Sequence, residues 1–158
     1  MEIKFFTNLK RAAERVYPHN EVMQRVVVTQ AVHESGLLSK RGGSQLAIRY
    51  NNLFGIKGKG SGGSVKMPTW ESVNGVVKHV RADFAVYMSH EDCFEAHKNL
   101  MENGVSWNHN LYKPVLEART VQGGFEALQK CGYATDPKYA LKLSETYEKL
   151  LLRGLYND

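Results

Sequence analysis

The sequence contains no long apolar run, which excludes one class of protein. Its longest apolar stretches are only a few residues, as in Val26 to Val28, whereas a membrane-spanning helix needs about 20 such residues. The first residues, 1–10, mix charged and apolar positions and do not resemble a secretory signal peptide. We therefore expect no stable membrane insertion, and a protein that stays in the cytoplasm unless a route independent of an N-terminal signal releases it.

Cysteine is also scarce. The chain has two, Cys93 and Cys131, in 158 residues. A chain of this length can bury a hydrophobic core of its own, whereas disulfide frameworks are typical of much smaller secreted domains. We expect both cysteines to be reduced and buried.

Blocks of like charge are absent as well. The net charge of +5 and the pI near 9.2 suit an anionic partner, which can be nucleic acid, a membrane surface or an acidic cell wall. No basic block occurs, and no basic helix carries interleaved aromatic residues of the kind that grips single-stranded nucleic acid. We therefore expect no nucleic-acid partner.

The length suits one domain, residues 1–158, built around one core. The pattern predicts helix, glycine-rich loop, β-hairpin and further helices, which is an α+β fold, mainly helical, with a small β lobe. The expected elements, in order, are an amphipathic helix over 3–16; a helix from Asn20 as N-cap to Ser35; a loop over 41–64; a hairpin at Asn74-Gly75 with an alternating strand over 79–86; a helix from Ser89 to Asn103, ended by Gly104; a short helix over 125–130; and a last helix capped by Asp136 that runs to Arg153.

One carboxylate has an unusual position. On the helical period of residues 20–35, Glu34 shares a side with apolar residues. It is thus predicted on the buried face and near the negative end of the helix dipole, and both effects favour the protonated form that a general acid needs. Gly36 marks the end of the helix, so the carboxyl should face the loop beyond. The alternative is a structural glutamate that caps the helix or pairs with Arg49 or Lys57.

Several motifs, separated along the chain, resemble one known family. They are His33-Glu34-Ser35-Gly36 followed by Asn51-Asn52-Leu53-Phe54-Gly55-Ile56-Lys57-Gly58, then Thr69-Trp70-Glu71-Ser72-Val73-Asn74-Gly75, then Phe84 to Ser89, and finally Gly132-Tyr133-Ala134-Thr135-Asp136-Pro137 with Tyr139-Ala140. In this order they resemble glycoside hydrolase family 73, the bacterial and phage N-acetylglucosaminidases that cut peptidoglycan. The resemblance covers about residues 20–153.

The resemblance implies a lysozyme-like domain that acts as an endo-β-N-acetylglucosaminidase on the glycan strands of peptidoglycan, with Glu34 as general acid and no cofactor. A stand-alone catalytic domain without a visible signal peptide or wall-binding repeats looks most like a phage endolysin, and we expect a monomer held in the host cytoplasm until it is released to the cell wall. A virion-associated or a bacterial flagellar or autolytic enzyme is the alternative setting. A lytic transglycosylase or a muramidase is the alternative chemistry, since both share a lone helix-end glutamate. A non-catalytic wall-binding module is the contrasting class.

Hydrolysis of a glycosidic bond usually needs a second carboxylate. Glu71, just before the Asn74-Gly75 turn, is the candidate, and the family has a glutamate at this place. In this family the acetamido group of the substrate can itself attack the anomeric carbon, so the resemblance does not require Glu71 to be the nucleophile. The alternatives are an exposed strand glutamate at this position and Asp83, on the polar face of the next strand, as the second carboxylate.

The motifs supply the other site residues. Tyr133 matches a tyrosine beside the cleft that can position the acetamido group or the catalytic water, and its alternative is a core tyrosine with a satisfied hydroxyl. Asn52 and Phe54 are expected to bind the hydroxyls and the apolar face of a sugar, while Asn51 braces the loop. Tyr139 is expected to pack at the cleft floor among the substrate-binding residues.

A metal site is not expected. His33-Glu34 resembles the start of a zinc peptidase motif, but Leu37 stands where the second histidine is needed. His90, Cys93 and His97 can share one helix face, and we interpret this set as structural.

The chain departs from the family pattern in three places. Leu37 replaces a usual tryptophan that serves as a sugar platform, an additional Arg41-Gly42-Gly43 lengthens the following loop, and Ala85 replaces the arginine usual after Phe84. These changes concern contacts to the substrate and leave Glu34 in place.

Overall fold

The computed structural model describes residues 1–157 and has seven helices and one β-hairpin. The predicted fold class, α+β and mainly helical, is confirmed. The elements are α1 (Ile3–Val16), α2 (Glu21–Ser35), α3 (Gln45–Tyr50), β1 (Ser64–Val73), β2 (Val76–Ala85), α4 (His90–Asn103), α5 (Lys113–Leu116), α6 (Val121–Lys130) and α7 (Tyr139–Leu152).

Helix α2 lies at the centre of the fold. It packs against α1, α6 and α7, and its residues from Val26 to Val32 are all buried. A helix surrounded on every side needs no polar stripe, which is why the apolar positions of α2 do not define a single face. Two polar residues, Thr29 and Gln30, are fully buried in this run and must find hydrogen-bond partners inside the protein.

The predicted ends of α2 and α4 are confirmed. The side chain of Asn20 accepts a hydrogen bond from the Met23 amide (3.0 Å), and Gly36 ends α2 in the left-handed conformation with φ of 68°. Ser89 accepts from the Asp92 amide (3.1 Å) at the start of α4, and Gly104 ends that helix. Each side chain satisfies a backbone N–H that has no partner within the helix.

The hairpin forms around Asn74-Gly75 as predicted. Both residues have positive φ, 52° and 78°, as a tight two-residue turn requires, and Val73 pairs with Val76 directly beside it. Residues directly opposite each other share one face of the hairpin. One face therefore carries Glu71 with its neighbour Lys78, and the other carries Asp83 with Lys66.

Two predicted segments need correction. The stretch 41–64 is not all loop, because the Ser44 hydroxyl accepts a hydrogen bond from the Ala47 amide (3.1 Å) and starts the short helix α3. Its high glycine content hid this capping signal. Helix α6 begins at Val121, earlier than predicted, because Thr120 caps it and the helix tolerates Gly123 and Gly124 in its first turn.

The last helix begins later than predicted. Asp136 does not cap α7 itself: its carboxylate accepts from the Lys138 amide (2.9 Å), which closes a turn ahead of the helix, and α7 starts at Tyr139. Helix α5, with Pro114 near its start, was not predicted.

Both cysteines are free, but only Cys93 is buried as predicted. Cys131 at the end of α6 is half-buried. Across residues 1–157, none of the helices has the length and apolar character needed to cross a membrane.

Gly124 allows close packing of α6 on α2. A Cβ at this position would lie 2.7 Å from Cγ2 of Val26, which is itself fully buried. The branched side chain of valine has few rotamers and cannot easily move away.

We predict that Gly124→Ala destabilises the protein by about 1 to 2 kcal/mol, because the overlap with Val26 outweighs the better helix propensity of alanine. Urea denaturation measures the change. Val26→Ala makes room for the added methyl group, so the double variant should lose less stability than the sum of the two single variants. A Gly124→Ala variant more stable than the wild type would contradict this account of the packing.

Candidate active site

Glu34 lies in the last turn of α2, where the helix leaves the core. Its side chain is exposed, whereas its neighbour Ser35 is buried. The prediction that Glu34 sits on a buried face is therefore wrong. The physical reason is that the core encloses α2 only as far as Val32. The helical period therefore does not predict which residues of the last turn are buried.

Within the described residues, 1–157, the carboxylate of Glu34 accepts one side-chain hydrogen bond. The hydroxyl of Tyr139 donates to its Oε1 atom at 2.7 Å. The alternative, a structural ion pair with Arg49 or Lys57, is not formed: the Arg49 guanidinium lies over the ring of Tyr50, and Lys57 pairs with Glu71. Glu34 is thus held by a neutral donor.

Tyr139 belongs to the core rather than to the protein surface. It is 2% exposed, at the start of α7. Burial, and next the negative charge of Glu34, raise the pKa of Tyr139, so its hydroxyl keeps its proton and stays a donor. Direct contact with a substrate, as the sequence suggested, has no support in this geometry. The structure assigns Tyr139 to holding Glu34.

Behind Tyr139 lies a buried series of polar side chains. Nε2 of Gln30 donates to the Tyr139 oxygen at 3.0 Å, and Oε1 of Gln30 lies 2.7 Å from Nε2 of His97. Nδ1 of His97 lies 3.3 Å from the hydroxyl of Tyr17. Burial lowers the pKa of His97 to about 3, so the imidazole is neutral near pH 7.

Tyr133 lies beside this pair. Its ring stacks on that of Tyr139, with centroids 5.9 Å apart and planes 17° apart, and Tyr112 meets its edge. Burial, and next the charge of Glu34, raise the pKa of Tyr133. Its ring is half-buried, and within residues 1–157 its hydroxyl makes no hydrogen bond. That hydroxyl is available to a ligand.

Glu71 is held by a different part of the molecule. It lies on β1 with Lys78 opposite, and its carboxylate forms an ion pair with Lys57 of the loop after α3. Asp83 lies on the opposite face of the hairpin and pairs with Lys66 at 3.0 Å. The two carboxylates therefore point to different sides, and the face of Glu71 is the less exposed one.

The loop residue Asn52 has a different role from the predicted one. Asn52 is 1% exposed; its Nδ2 donates to the carbonyls of Ile56 and Ala85, both at 2.9 Å, and its Oδ1 accepts from the Ile56 amide at 3.0 Å. All polar atoms of this side chain are used, so Asn52 braces the loop and does not face a sugar. Asn51 also braces it, by donating to the Tyr87 carbonyl.

Phe54 keeps part of its surface. It is half-buried, and its ring lies against His97 (centroids 4.9 Å apart) and Phe94 (5.9 Å). Leu37, which stands at the family's tryptophan position, is 1% exposed and offers no platform to a sugar.

The set His90, Cys93 and His97 makes internal contacts. His97 bonds to Gln30, and Sγ of Cys93 accepts from the Leu53 amide at 3.5 Å. Among the residues that the structure describes, no group of three or more His, Cys, Asp or Glu side chains is arranged to hold a metal ion.

Three residues that support the site were missed in the sequence. Gln30 lies one helical turn before Glu34. It is a polar residue within a continuous buried run, and such a residue must find hydrogen-bond partners inside the protein. His97 was assessed only as a metal ligand. Tyr17 carried no local signal, because it is joined to His97 across 80 positions of the chain.

Comparison with known proteins gives consistent matches. A model of the family called Glucosaminidase, described as mannosyl-glycoprotein endo-beta-N-acetylglucosaminidase, matches residues 10–152. The exo-glucosaminidase LytG of Bacillus subtilis is 41% identical over 145 residues, which cover 92% of this chain and 50% of LytG. The peptidoglycan hydrolase FlgJ of Escherichia coli K12 is 30% identical over 148 residues, which cover 92% of this chain and 46% of FlgJ. The chain spans about half the length of these two relatives.

A solved structure shows the same fold. The catalytic domain of the autolysin Auto from Listeria monocytogenes superposes with a TM-score of 0.82 at 31% identity, over 97% of this chain and 86% of that domain.

The corrected position of Asn52 leads to a test. We predict that Asn52→Ala lowers the free energy of unfolding by about 2 to 4 kcal/mol, because it leaves several backbone groups of the loop without partners. The matched control is Asn99→Ala, which alters an exposed asparagine of α4 and should change stability by less than about 0.5 kcal/mol. A variant of normal stability that binds glycan poorly would show instead that Asn52 contacts the substrate.

Proposed function

This chain belongs to the Glucosaminidase family, and on that premise we propose that it is a catalytic domain that hydrolyses the glycan strands of peptidoglycan as an endo-β-N-acetylglucosaminidase. The observation that carries the proposal is the carboxyl of Glu34. It lies at the end of a helix that crosses the core, and one of its oxygens accepts a hydrogen bond from Tyr139. The ring of Tyr133 stacks on that of Tyr139.

Glu34 is the proposed general acid. Cleavage of a glycosidic bond needs a proton on the leaving oxygen and stabilisation of an oxocarbenium-like centre. The hydrogen bond from Tyr139 occupies Oε1, which leaves Oε2 to carry a proton toward the glycan. Glu34 is open to solvent in the free protein, so its carboxyl is accessible to a glycan.

Glu71 and Tyr133 are proposed to act at the anomeric carbon, where positive charge develops and the acetamido group or water attacks. Glu71 lies on the less exposed face of the hairpin and can stabilise positive charge or orient water there. The hydroxyl of Tyr133 can position the acetamido group of the substrate or the catalytic water. The part of the Phe54 ring that stays exposed offers an apolar surface to a sugar ring.

Whether the enzyme cuts within a glycan strand or at its end is a separate question. The family description names an endo-acting enzyme, whereas the name of LytG describes an exo-acting one. We propose endo cleavage, following the family description, and the size of the released fragments distinguishes the two modes. Lytic transglycosylase and muramidase chemistry are the second candidate, because both also use an acid glutamate at a helix end.

The biological setting is a separate proposal. We propose a monomer whose partner is the acidic, glycan-rich cell wall, in keeping with the net charge of +5. We propose that the protein is a phage endolysin held in the host cytoplasm, and the alternative is a virion-associated enzyme. The relatives described above are bacterial proteins.

We predict that digested peptidoglycan carries N-acetylglucosamine at its new reducing ends. Borohydride reduction followed by mass spectrometry should find N-acetylglucosaminitol, with fragment masses that include one added water and with strands cut at internal positions. Glu34→Gln is the negative control, because the amide keeps the size of the side chain but cannot deliver a proton. Its rate should be lower by about 10² to 10⁴-fold, with an unchanged circular dichroism spectrum.

Other products would identify other chemistries. Muramitol ends would make the enzyme a muramidase, and anhydro products that resist reduction would make it a lytic transglycosylase. Glycan binding without any cleavage would leave a wall-binding module.

We predict that Glu71→Gln lowers the rate by about tenfold or more, but less than Glu34→Gln, because the acetamido group of the substrate can replace a carboxylate nucleophile while charge stabilisation is lost. Asp83→Asn is the matched control: it alters an ion-paired strand carboxylate on the opposite face, and its rate should equal that of the wild type. The assay measures initial rates on soluble glycan fragments. A larger loss for Asp83→Asn than for Glu71→Gln would show that Asp83, and not Glu71, is the second carboxylate.

A further inference from the structure

We propose that Tyr17, His97 and Gln30 form a hydrogen-bond chain of fixed direction that aims the hydroxyl proton of Tyr139 at Oε1 of Glu34 and so leaves Oε2 to carry the acid proton. Gln30 and His97 are then positioning residues for the reaction. The inference rests on the proposed role of Glu34 as general acid. Within residues 1–157, the side-chain hydrogen bonds of these three residues reach Glu34 through Tyr139.

The direction of the chain follows from counting donors and acceptors. The Tyr139 hydroxyl has one proton, which it gives to Glu34 because Nε2 of Gln30 already donates to its oxygen. The carbonyl of Gln30 therefore faces His97 and needs a donor there, which fixes the proton of the neutral imidazole on Nε2. Nδ1 of His97 is then an acceptor and takes the proton of the Tyr17 hydroxyl.

The reversed direction is unfavourable at both ends. If the Gln30 amide were turned over, Tyr139 would donate to Gln30 and the carboxylate of Glu34 would lose its protein donor. His97 would carry its proton on Nδ1 and donate to Tyr17, whose own proton would then lack a partner although the residue is 4% exposed. A buried donor without a partner is costly, so the observed direction, in which the protons of Tyr139, His97 and Tyr17 all find acceptors, is the favourable one.

Burial keeps this arrangement intact. Gln30 and His97 are 0% and 2% exposed, and Tyr139 is 2% exposed, so water cannot supply alternative partners. Phe54 and Tyr133 cover the His97 ring, and burial lowers the pKa of His97 to about 3, which keeps the ring neutral. The chain thus ties the orientation of the proposed acid to the centre of the core.

The tautomer of His97 gives a test that needs no activity. In the wild-type protein, nitrogen-15 NMR of the imidazole should show a neutral ring with its proton on Nε2 and an acceptor at Nδ1. A proton on Nδ1 would overturn the proposal. This measurement holds whatever reaction the enzyme catalyses, and it does not depend on a variant that folds.

A double-variant experiment tests the effect on catalysis. Gln30→Met keeps the shape of the side chain but can neither donate to Tyr139 nor accept from His97. We expect it to lower kcat by about tenfold, as expected of a misaligned catalytic group, with KM within twofold of the wild type. In the Tyr139→Phe background the chain no longer reaches Glu34, so Gln30→Met should then change kcat by less than twofold.

Thr29→Val is the matched control. Thr29 is a fully buried polar residue next to Gln30 whose hydroxyl donates to the Arg25 carbonyl at 2.7 Å, outside the chain. This variant should keep the kcat of the wild type. Equal losses from Gln30→Met in both backgrounds would show a merely structural role, and a wild-type kcat for Gln30→Met would also overturn the proposal. Full activity of Glu34→Gln would instead refute the proposed function while leaving the NMR result valid.

Discussion

Helix α2 is packed on every side, and the geometry of the candidate site depends on this enclosure. Because α1, α6 and α7 surround it, α2 cannot rotate or slide without disturbing the core. Glu34 is attached to the end of this fixed helix, where Gly36 turns the chain away in the left-handed conformation. A reactive carboxyl that must be placed accurately is thus attached to a helix enclosed by the core, while its own side chain stays open to solvent.

The same enclosure creates the polar series behind the site. Gln30 is carried into the core by its position on α2, and a buried amide has to find both a donor and an acceptor. His97 of α4 and Tyr139 of α7 supply them, so three helices are joined through one side chain. Core packing and site geometry are therefore two results of one arrangement, and a change inside the core can reach the carboxyl of Glu34 without any contact with a substrate.

The second carboxylate has an independent support. Glu71 is carried by the hairpin and is tied by Lys57 to the loop that Asn52 braces from within. The proposed acid belongs to the helical body and Glu71 belongs to the β lobe, so the two carboxylates are placed by different sets of contacts. This division suits a reaction in which the acid role is obligatory and the second role can be shared with the acetamido group of the substrate.

The sequence by itself determined the local features: the span of α1, the caps at Asn20 and Ser89, the Asn74-Gly75 turn and the candidate Glu34, because each depends on neighbouring residues and known backbone preferences. Only the tertiary structure decided which side chains are enclosed. It placed Glu34 in solvent, Asn52 in the loop interior and Tyr139 in the core, and it joined Tyr17 to His97 across 80 positions. The physical reason is that periodicity describes one helix against one core, whereas burial and hydrogen-bond partners are fixed by every element packed around a residue.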